Sequence, residues 1–250
     1  MIDSPTADIR IGQITQQWAK VQKIKSDYSA QTDSTNLKAK KEAFLDSSFD
    51  ENIILYLADQ QTAGRGRGSN TWSSAAIGSQ LLSTWSFLME EMPKPTLSPQ
   101  IGLAIYRAAV ATWPFIDWNL KAPNDLYIST KKVAGLLIET VSQGADLRLL
   151  VGFGFNVFSF PETVTTATSL AHELPEKTPL LAEDWISFLE RILFELSFAL
   201  QRAAEPLNST TTTALIHSLN LHPHLKEKYI SLDASGTLAT AKKKILWSEL

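Results

Sequence analysis

The sequence predicts a mixed α+β protein built around one main sheet. Two patterns carry that prediction. Leu147, Leu149, Val151, Phe153, Phe155 and Val157 are all large and apolar, while the positions between them include Gly152, Gly154 and Asn156, the period-two signature of a strand. Trp185, Phe188, Ile192, Leu196 and Leu200 recur at helical spacing, the stripe of a long amphipathic helix. Strand-like and helix-like segments are interspersed along the 250 residues, and no internal repeat is visible. With 44% hydrophobic and 20% charged residues, such a chain buries a core without disulfides or structural metals.

The elements follow in order. Ile11, Ile14, Trp18 and Val21 predict an amphipathic helix near the start. Asp33-Ser34-Thr35-Asn36 is a cluster of helix-capping residues, and the lysine-rich segment after it predicts a helix with Leu37 and Phe44 inward. Ile53 to Leu57 reads as a short strand and Gln80 to Leu88 as another. The glycine-rich stretch between them, residues 58–68, excludes regular structure. Ser98-Pro99 reads as a cap and first-turn proline opening a helix to about Trp113. Asn119 to Lys121 runs into a turn, Ala122-Pro123-Asn124-Asp125, ahead of an apolar run from Val133 to Val141. Within 147–158 the even positions include Gly152, Gly154 and Asn156, so one face is core and the other is open to close approach by a ligand or backbone. Pro206 ends the long helix, Leu207 to Thr213 reads as a Ser/Thr-rich loop, and Asp233-Ala234-Ser235-Gly236 is a turn.

Composition excludes several classes. With no cysteine there is no disulfide scaffold, no cysteine nucleophile and no thiolate metal site. A net charge of −3 offers no global attraction for nucleic acid or anionic membranes, so anion binding requires a local basic cluster. The polar start, Met1 to Pro5, lacks signal-peptide layout, and the apolar run from Ile101 to Ile116 is broken by Arg107 and Pro114. The chain therefore reads as cytoplasmic. There is no P-loop and no Gly-x-Ser-x-Gly elbow. Gly152-Phe153-Gly154 resembles a dinucleotide fingerprint only superficially, because no helix opens after it. His222 and His224 flank Pro223 and read as a surface turn more than as metal ligands.

Gly64-Arg65-Gly66-Arg67-Gly68 is the sharpest local feature. Alternating glycines permit positive φ and an anion-binding nest, and the two arginines add planar donors. A solvated surface loop explains the same residues about as well; an RGG-like nucleic-acid segment is disfavoured in a short loop of an acidic protein. Trp72 either stacks on a base or packs. Lys132 opens an apolar run and either enters a pocket or is solvated.

Taken in order, these segments resemble the biotin protein ligase family. The segments are Asp33-Ser34-Thr35-Asn36, Gln61 to Arg67 with Trp72, Lys121 to Leu126, Lys132 to Glu139, and Gly152 to Val157. The resemblance covers roughly residues 30 to 205. It implies an α+β fold with a mixed, mainly antiparallel central sheet flanked by helices. It implies a catalytic domain over 1–220 and a short C-terminal extension over 221–250, at most a degenerate SH3-like domain.

The activity it implies has two steps, using ATP and Mg2+. Biotin is activated as biotinyl-5′-AMP and then passed to a lysine of a biotin carboxyl carrier domain. Ser34, Thr35, Asn36 and Gln61 would bind the biotin head, and Gly64, Arg65, Gly66 and Arg67 would close over its carboxylate and the phosphate. Lys132, with Arg65 and Arg67, would offset charge in the transition state, and Gly135 would leave room for the biotin tail. Trp72 and Asn156 would line the adenine side, and Lys121, Asn124 and Asp125 the phosphate end, with Asp125 the candidate metal ligand. Arg65, Arg67, Lys121 and Lys132 are expected to converge on one pocket. The implied partners are biotin, ATP and the carrier domain, with no nucleic acid and no membrane, in a monomer or homodimer.

Three departures stand out. Ala122 replaces the usual tryptophan. Gly68-Ser69-Asn70-Thr71 replaces further basic residues and is expected to weaken retention of the adenylate. The residues from Lys226 to Leu250 are expected to be too few for an independent barrel, and no N-terminal helix-turn-helix domain is expected. Two alternatives remain: a lipoate or other acyl ligase or transferase of the same fold, and a non-catalytic adenylate-binding module.

Overall fold

The computed structural model describes residues 10–49, 51–176 and 178–250; the polar start, Met1 to Pro5, lies outside them. Along the chain come α1 (Ile11–Val21), β1 (Lys25–Ser29), α2 (Thr35–Glu42), α3 (Asp46–Phe49), β2 (Ile53–Ala58) and β3 (Gln80–Met89). Next are α4 (Leu97–Thr112), β4 (Trp118–Lys121), β5 (Asp125–Ile128), β6 (Lys131–Gln143), β7 (Asp146–Asn156) and α5 (Leu170–Glu173). The last are α6 (Ala182–Leu200), α7 (Ser209–Asn220), β8 (Tyr229–Leu232), β9 (Thr237–Thr240) and β10 (Lys244–Leu246). Hydrogen bonding orders seven strands as β1-β2-β3-β7-β6-β5-β4. β1 and β2 run parallel, while β2 and β3, β3 and β7, and β4 and β5 run antiparallel. The mixed, mainly antiparallel sheet expected from the sequence is therefore present. Two compact units divide within β6: Met1–Glu90 with Gly135–His172, and Glu91–Ala134 with Glu173–Leu250.

In the first unit, β3 pairs with β7 along its whole length, from Gln80 opposite Asn156 to Met89 opposite Leu147. The odd residues of β7 are core, with Leu149, Val151, Phe153 and Phe155 at most 2% exposed. The same face carries Trp85, opposite Val151, and α1 reaches it through Trp18, whose ring lies 5.8 Å from that of Trp85. α1 buries Ile11, Thr15, Trp18 and Ala19, while Val21 is exposed, so the inward stripe is shorter than the apolar spacing predicts.

The even face of β7 is also covered. Ala39 of α2 packs there with Ile54, Tyr56 and Leu150. Burial pushes the Tyr56 phenol up to about 12. α2 turns Thr35, Asn36 and Ala39 inward, not Leu37, which is half-buried. Arg148 is fully buried on this face, its guanidinium donating to the carbonyls of Ser48, Glu51 and Ser86. Backbone carbonyls satisfy the cation without a carboxylate partner among those bonds.

In the second unit α4 packs on α6. Trp113 lies 5.0 Å from Phe188 and 6.2 Å from Trp118, ring to ring. Helix α4 begins at Leu97 with Thr96 in the cap position, two residues before the expected cap at Ser98. Pro99 still falls in the first turn, where amides have no acceptor within the helix and its missing N–H costs nothing. The stripe of α6 is Trp185, Phe188, Leu189, Ile192, Leu196 and Ala199, with Leu200 only half-buried.

The Ser/Thr-rich segment is not a loop. Asn208 caps α7 by accepting from the Thr211 amide at 2.8 Å, and Leu215 and Leu219 anchor the helix. The cap and those anchors outweigh the weak helix propensity of four consecutive threonines. β8, β9 and β10 form a separate antiparallel sheet. Its first turn has Gly236 at φ +80°, and Asp233 accepts from the Ser235 hydroxyl and from the amides of Thr237 and Ser235, which holds its carboxyl below the usual range. His222 is buried, not part of a surface turn. Its Nδ1 lies 2.7 Å from Asn119 Oδ1 and its ring meets Tyr127 edge-on.

Candidate active site

The first unit gathers a buried polar cluster on the even face of β7. Ser34, Thr35 and Asn36 are at most 4% exposed. The chain before them pairs with the start of the glycine segment: Thr32 N donates to Gln60 O, and Thr62 and Ala63 donate to Thr32 O and Asp33 O. This pairing brings Gln61 to the N-terminus of α2, where Gln61 Oε1 accepts from Thr35 N at 2.8 Å and from Thr35 Oγ1 at 3.2 Å. Ser74 Oγ bridges the Gln61 amide and carbonyl. Thr84 on β3 lies 3.0 Å from Thr35 Oγ1 and 3.1 Å from Asn36 Oδ1. Asn36 Nδ2 donates in turn to Glu139 on β6. Asp33 accepts from the Ser34 amide at 2.7 Å, which holds its carboxyl below the ordinary range.

The glycine–arginine segment folds back on itself. Trp72 N donates to Gly64 O at 2.9 Å and Gly66 N to Asn70 O at 2.8 Å, while Arg65 bridges Thr71. Gly68 takes positive φ, but Gly64 and Gly66 do not. An alternating nest is therefore not formed, because the Gly66 amide is engaged across the turn. Gly64 is required for another reason: a Cβ there would sit 2.4 Å from the Trp72 carbonyl oxygen. Arg65 is 3.9 Å from Glu139 Oε1, and its side chain is 40% exposed.

Trp72 lies across β7. A Cβ on Gly154 would fall 2.6 Å from its indole, so the open face anticipated beside the glycines is filled by this ring. At the end of β7, Gln80 Nε2 donates to Asn156 Oδ1 at 2.7 Å and Gln80 Oε1 accepts from Ala75 N at 2.7 Å. Asn156 Nδ2 donates to Thr168 O at 2.9 Å. Asn156 is thus a buried clamp between β3, β7 and the chain after it. Asp59, two residues before Gln61, is buried and accepts from Arg10 at 2.7 Å and from the Tyr28 hydroxyl.

In the second unit the β4–β5 hairpin carries the Lys121 to Asp125 motif. Lys121 pairs with Asp125 in register, and the Ala122–Pro123 peptide is cis. Lys132, near the start of β6, pairs with Asp125 at 2.6 Å. Lys121 Nζ is 3.4 Å from the Tyr127 hydroxyl and 5.3 Å from its ring centre. Gly135, where β6 passes into the first unit, is half-buried. Among the described residues no group of three or more His, Asp or Glu is arranged to hold a metal.

Comparison with known proteins bears on what these residues are for. The family model described as the biotin/lipoate A/B protein ligase family matches residues 28–156, just over half of the chain and the stretch that holds most of these motifs. The chain belongs to this family. The biotin–[acetyl-CoA-carboxylase] ligase of Mycobacterium tuberculosis is 35% identical over 150 residues, 58% of this chain and 54% of that protein. The Bacillus spizizenii bifunctional ligase/repressor BirA is 33% identical over 132 residues, 49% of this chain and 40% of that one. The chain thus spans about half or less of the length of these curated relatives. A biotin protein ligase from Aquifex aeolicus, solved in complex with biotin and ATP, superimposes with a TM-score of 0.65. It is 25% identical, and the match covers 90% of this chain and 97% of that one.

For a member of the biotin/lipoate ligase family, some of the polar partners within these segments were not singled out from the sequence. Thr84, Gln80 and Glu139 are polar residues within strands that otherwise read as apolar. That is the signal that marks them, since a buried polar group persists only with a bonded partner.

Proposed function

We propose that this chain is an ATP-dependent biotin protein ligase acting on a lysine of a biotin carboxyl carrier domain. The observation that carries the reading is the bonding of Gln61 to Thr35 at the start of α2, immediately before the folded Gly64 to Arg67 segment. It sets buried donors and acceptors suited to an uncharged polar head group beside arginines suited to a carboxylate and a phosphate. The Aquifex relative, solved with biotin and ATP, supports the same assignment.

In the first step a biotin carboxylate oxygen attacks the α-phosphorus of ATP and pyrophosphate leaves, giving biotinyl-5′-AMP. In the second the neutral carrier lysine attacks the acyl carbon, AMP leaves with the bonding electron pair, and the amine gives up a proton. Both steps run through bound anions, so catalysis rests on positioning and charge stabilisation, with no enzyme nucleophile. Ser34, Thr35, Asn36 and Gln61 hold the head group, with Gly135 leaving room for the tail. Arg65 and Arg67, within the Gly64–Arg67 segment, neutralise the carboxylate and phosphate. Lys132 faces the charge that grows at the α-phosphate. Its pairing with Asp125 holds the ammonium in one place. Lys121 and Asn124 serve the phosphate end, and Trp72 and Asn156 the adenine side. The donor set does not fit a resident metal: Asp125 is a single carboxylate already paired with Lys132. Mg2+ is therefore assigned to the ATP phosphates and arrives with them. The reading places the protein in the cytoplasm, with residues 1–220 catalytic and 221–250 an extension.

Exchange of labelled pyrophosphate into ATP tests the reading. Exchange should require biotin. Dependence on lipoate instead would assign the protein to lipoate activation, and absence with both acids would leave a binding module. Lys132→Ala should lower biotin-dependent exchange at least about tenfold, the loss of one charge-stabilising contact; unchanged exchange would remove Lys132 from catalysis.

A further inference from the structure

Glu139 has no role in the mechanism above, yet it joins three of its parts. On β6 its carboxylate accepts from Asn36 Nδ2, from Lys40 Nζ at 2.5 Å, and lies 3.9 Å from Arg65. Asn36 and Lys40 are four residues apart on α2 and so share one face. Arg65 comes from the glycine segment. One carboxylate therefore joins the helix, the segment and the strand.

A carboxylate can only accept hydrogen bonds, whereas a side-chain amide has one accepting and one donating end. Glu139 takes the donating end of Asn36, so Asn36 Oδ1 must face Thr84, 3.1 Å away. The Thr35 hydroxyl donates to Gln61 Oε1, and the single Thr84 hydroxyl hydrogen lies within reach of both Asn36 Oδ1 and Thr35 Oγ1. With Oε1 occupied, Gln61 turns Nε2 toward Gly64, where a Cβ would meet it at 3.1 Å. Asn36, Thr84 and Thr35 are 3%, 0% and 4% exposed, so bulk water cannot repair a reversed bond.

We infer that Glu139 is a positioning residue. Its charge fixes which end of the Asn36 amide meets Thr84, and so the acceptor presented among the buried groups around the biotin head, while holding Arg65 beside that network. This rests on the ligase reading. A glutamine at 139 keeps the shape but also donates, so the Asn36 amide is free to flip and Arg65 loses its counter-charge.

The test uses the full chain with Glu139→Gln and, as a control, Lys40→Met, which removes an ion pair without changing the polarity of the network. In pyrophosphate exchange, Glu139→Gln should raise the KM for biotin about tenfold, the weight of a charge-assisted bond, and leave the KM for ATP within about twofold. Lys40→Met should change neither by more than about twofold. An unaltered biotin KM in Glu139→Gln, or an equal rise in both variants, overturns the inference.

A second measurement does not depend on activity. Thr84 and Glu139 are linked through Asn36, so Thr84→Val and Glu139→Gln should be non-additive in urea unfolding, by about threefold or more in the folding equilibrium constant. Additivity overturns the network. Absence of biotin-dependent exchange in the unaltered chain, with non-additivity intact, would instead sink the ligase reading and keep Glu139 as organiser of the site.

Discussion

Gly154 shows how a single residue reports on its surroundings. Its missing side chain admits the Trp72 indole, and a methyl group there would lie 2.6 Å from the ring. Gly154→Ala should lower stability by roughly 1–3 kcal/mol, the usual cost of overpacking, as measured by urea unfolding. Adding Trp72→Ala removes the obstructing ring. The double variant should then be no less stable than Trp72→Ala alone, and a further loss would mean that Gly154 serves another purpose. The sequence pointed to Gly154 because a glycine in a strand signals close approach. It did not point to Trp72 as the approaching group, since that contact spans two loops and a sheet register. Glu139 was legible only as the end of an apolar run, because its three partners sit far from it in the chain.

Among elements, the predicted strands held because their signal is local and two residues long. Helix α7 was missed because threonine is a poor helix former and the serines and threonines around 209–213 resemble a loop. The cap at Asn208 and the burial of Leu215 and Leu219 reverse that balance. Asn208→Ala should therefore cost about 1 kcal/mol and lower the Tm by roughly 2–4 °C in calorimetry. Asn208→Ser, which keeps an acceptor at the cap, should recover most of the loss. A Tm unchanged in the alanine variant would show that packing alone sustains the helix. The glycine–arginine segment behaves differently again. Its irregularity was plain from composition, but its closure by the Gly64–Trp72 and Gly66–Asn70 bonds depends on which backbone groups find each other.

At the scale of the whole molecule, buried ionisable groups couple folding to pH. Burial, then Lys121, then His224 hold the His222 imidazole below its ordinary value of 6.5. The unfolded chain binds that proton near pH 6.5, whereas the folded chain binds it only at lower pH. Stability should therefore fall as the pH drops below about 6.5 and stop responding to this group once the folded imidazole is protonated. His222→Gln should flatten that part of the profile in unfolding measured between pH 5 and 7.5 (a range bracketing about 6.5); a slope as steep as before would assign it to other groups.

Read by itself, the chain already determined the fold class, the family motifs and the order of the segments that carry them, because periodicity, turn chemistry and motif spacing are properties of neighbouring residues. The three-dimensional arrangement settled which polar residues are buried together and which carboxylate each cation meets. Lys132 pairs with Asp125, Arg65 approaches Glu139, and His222 is withdrawn to Asn119. The reason is physical. A buried polar group is stable only beside its complement, and strand register and loop closure bring that complement from a distant part of the chain.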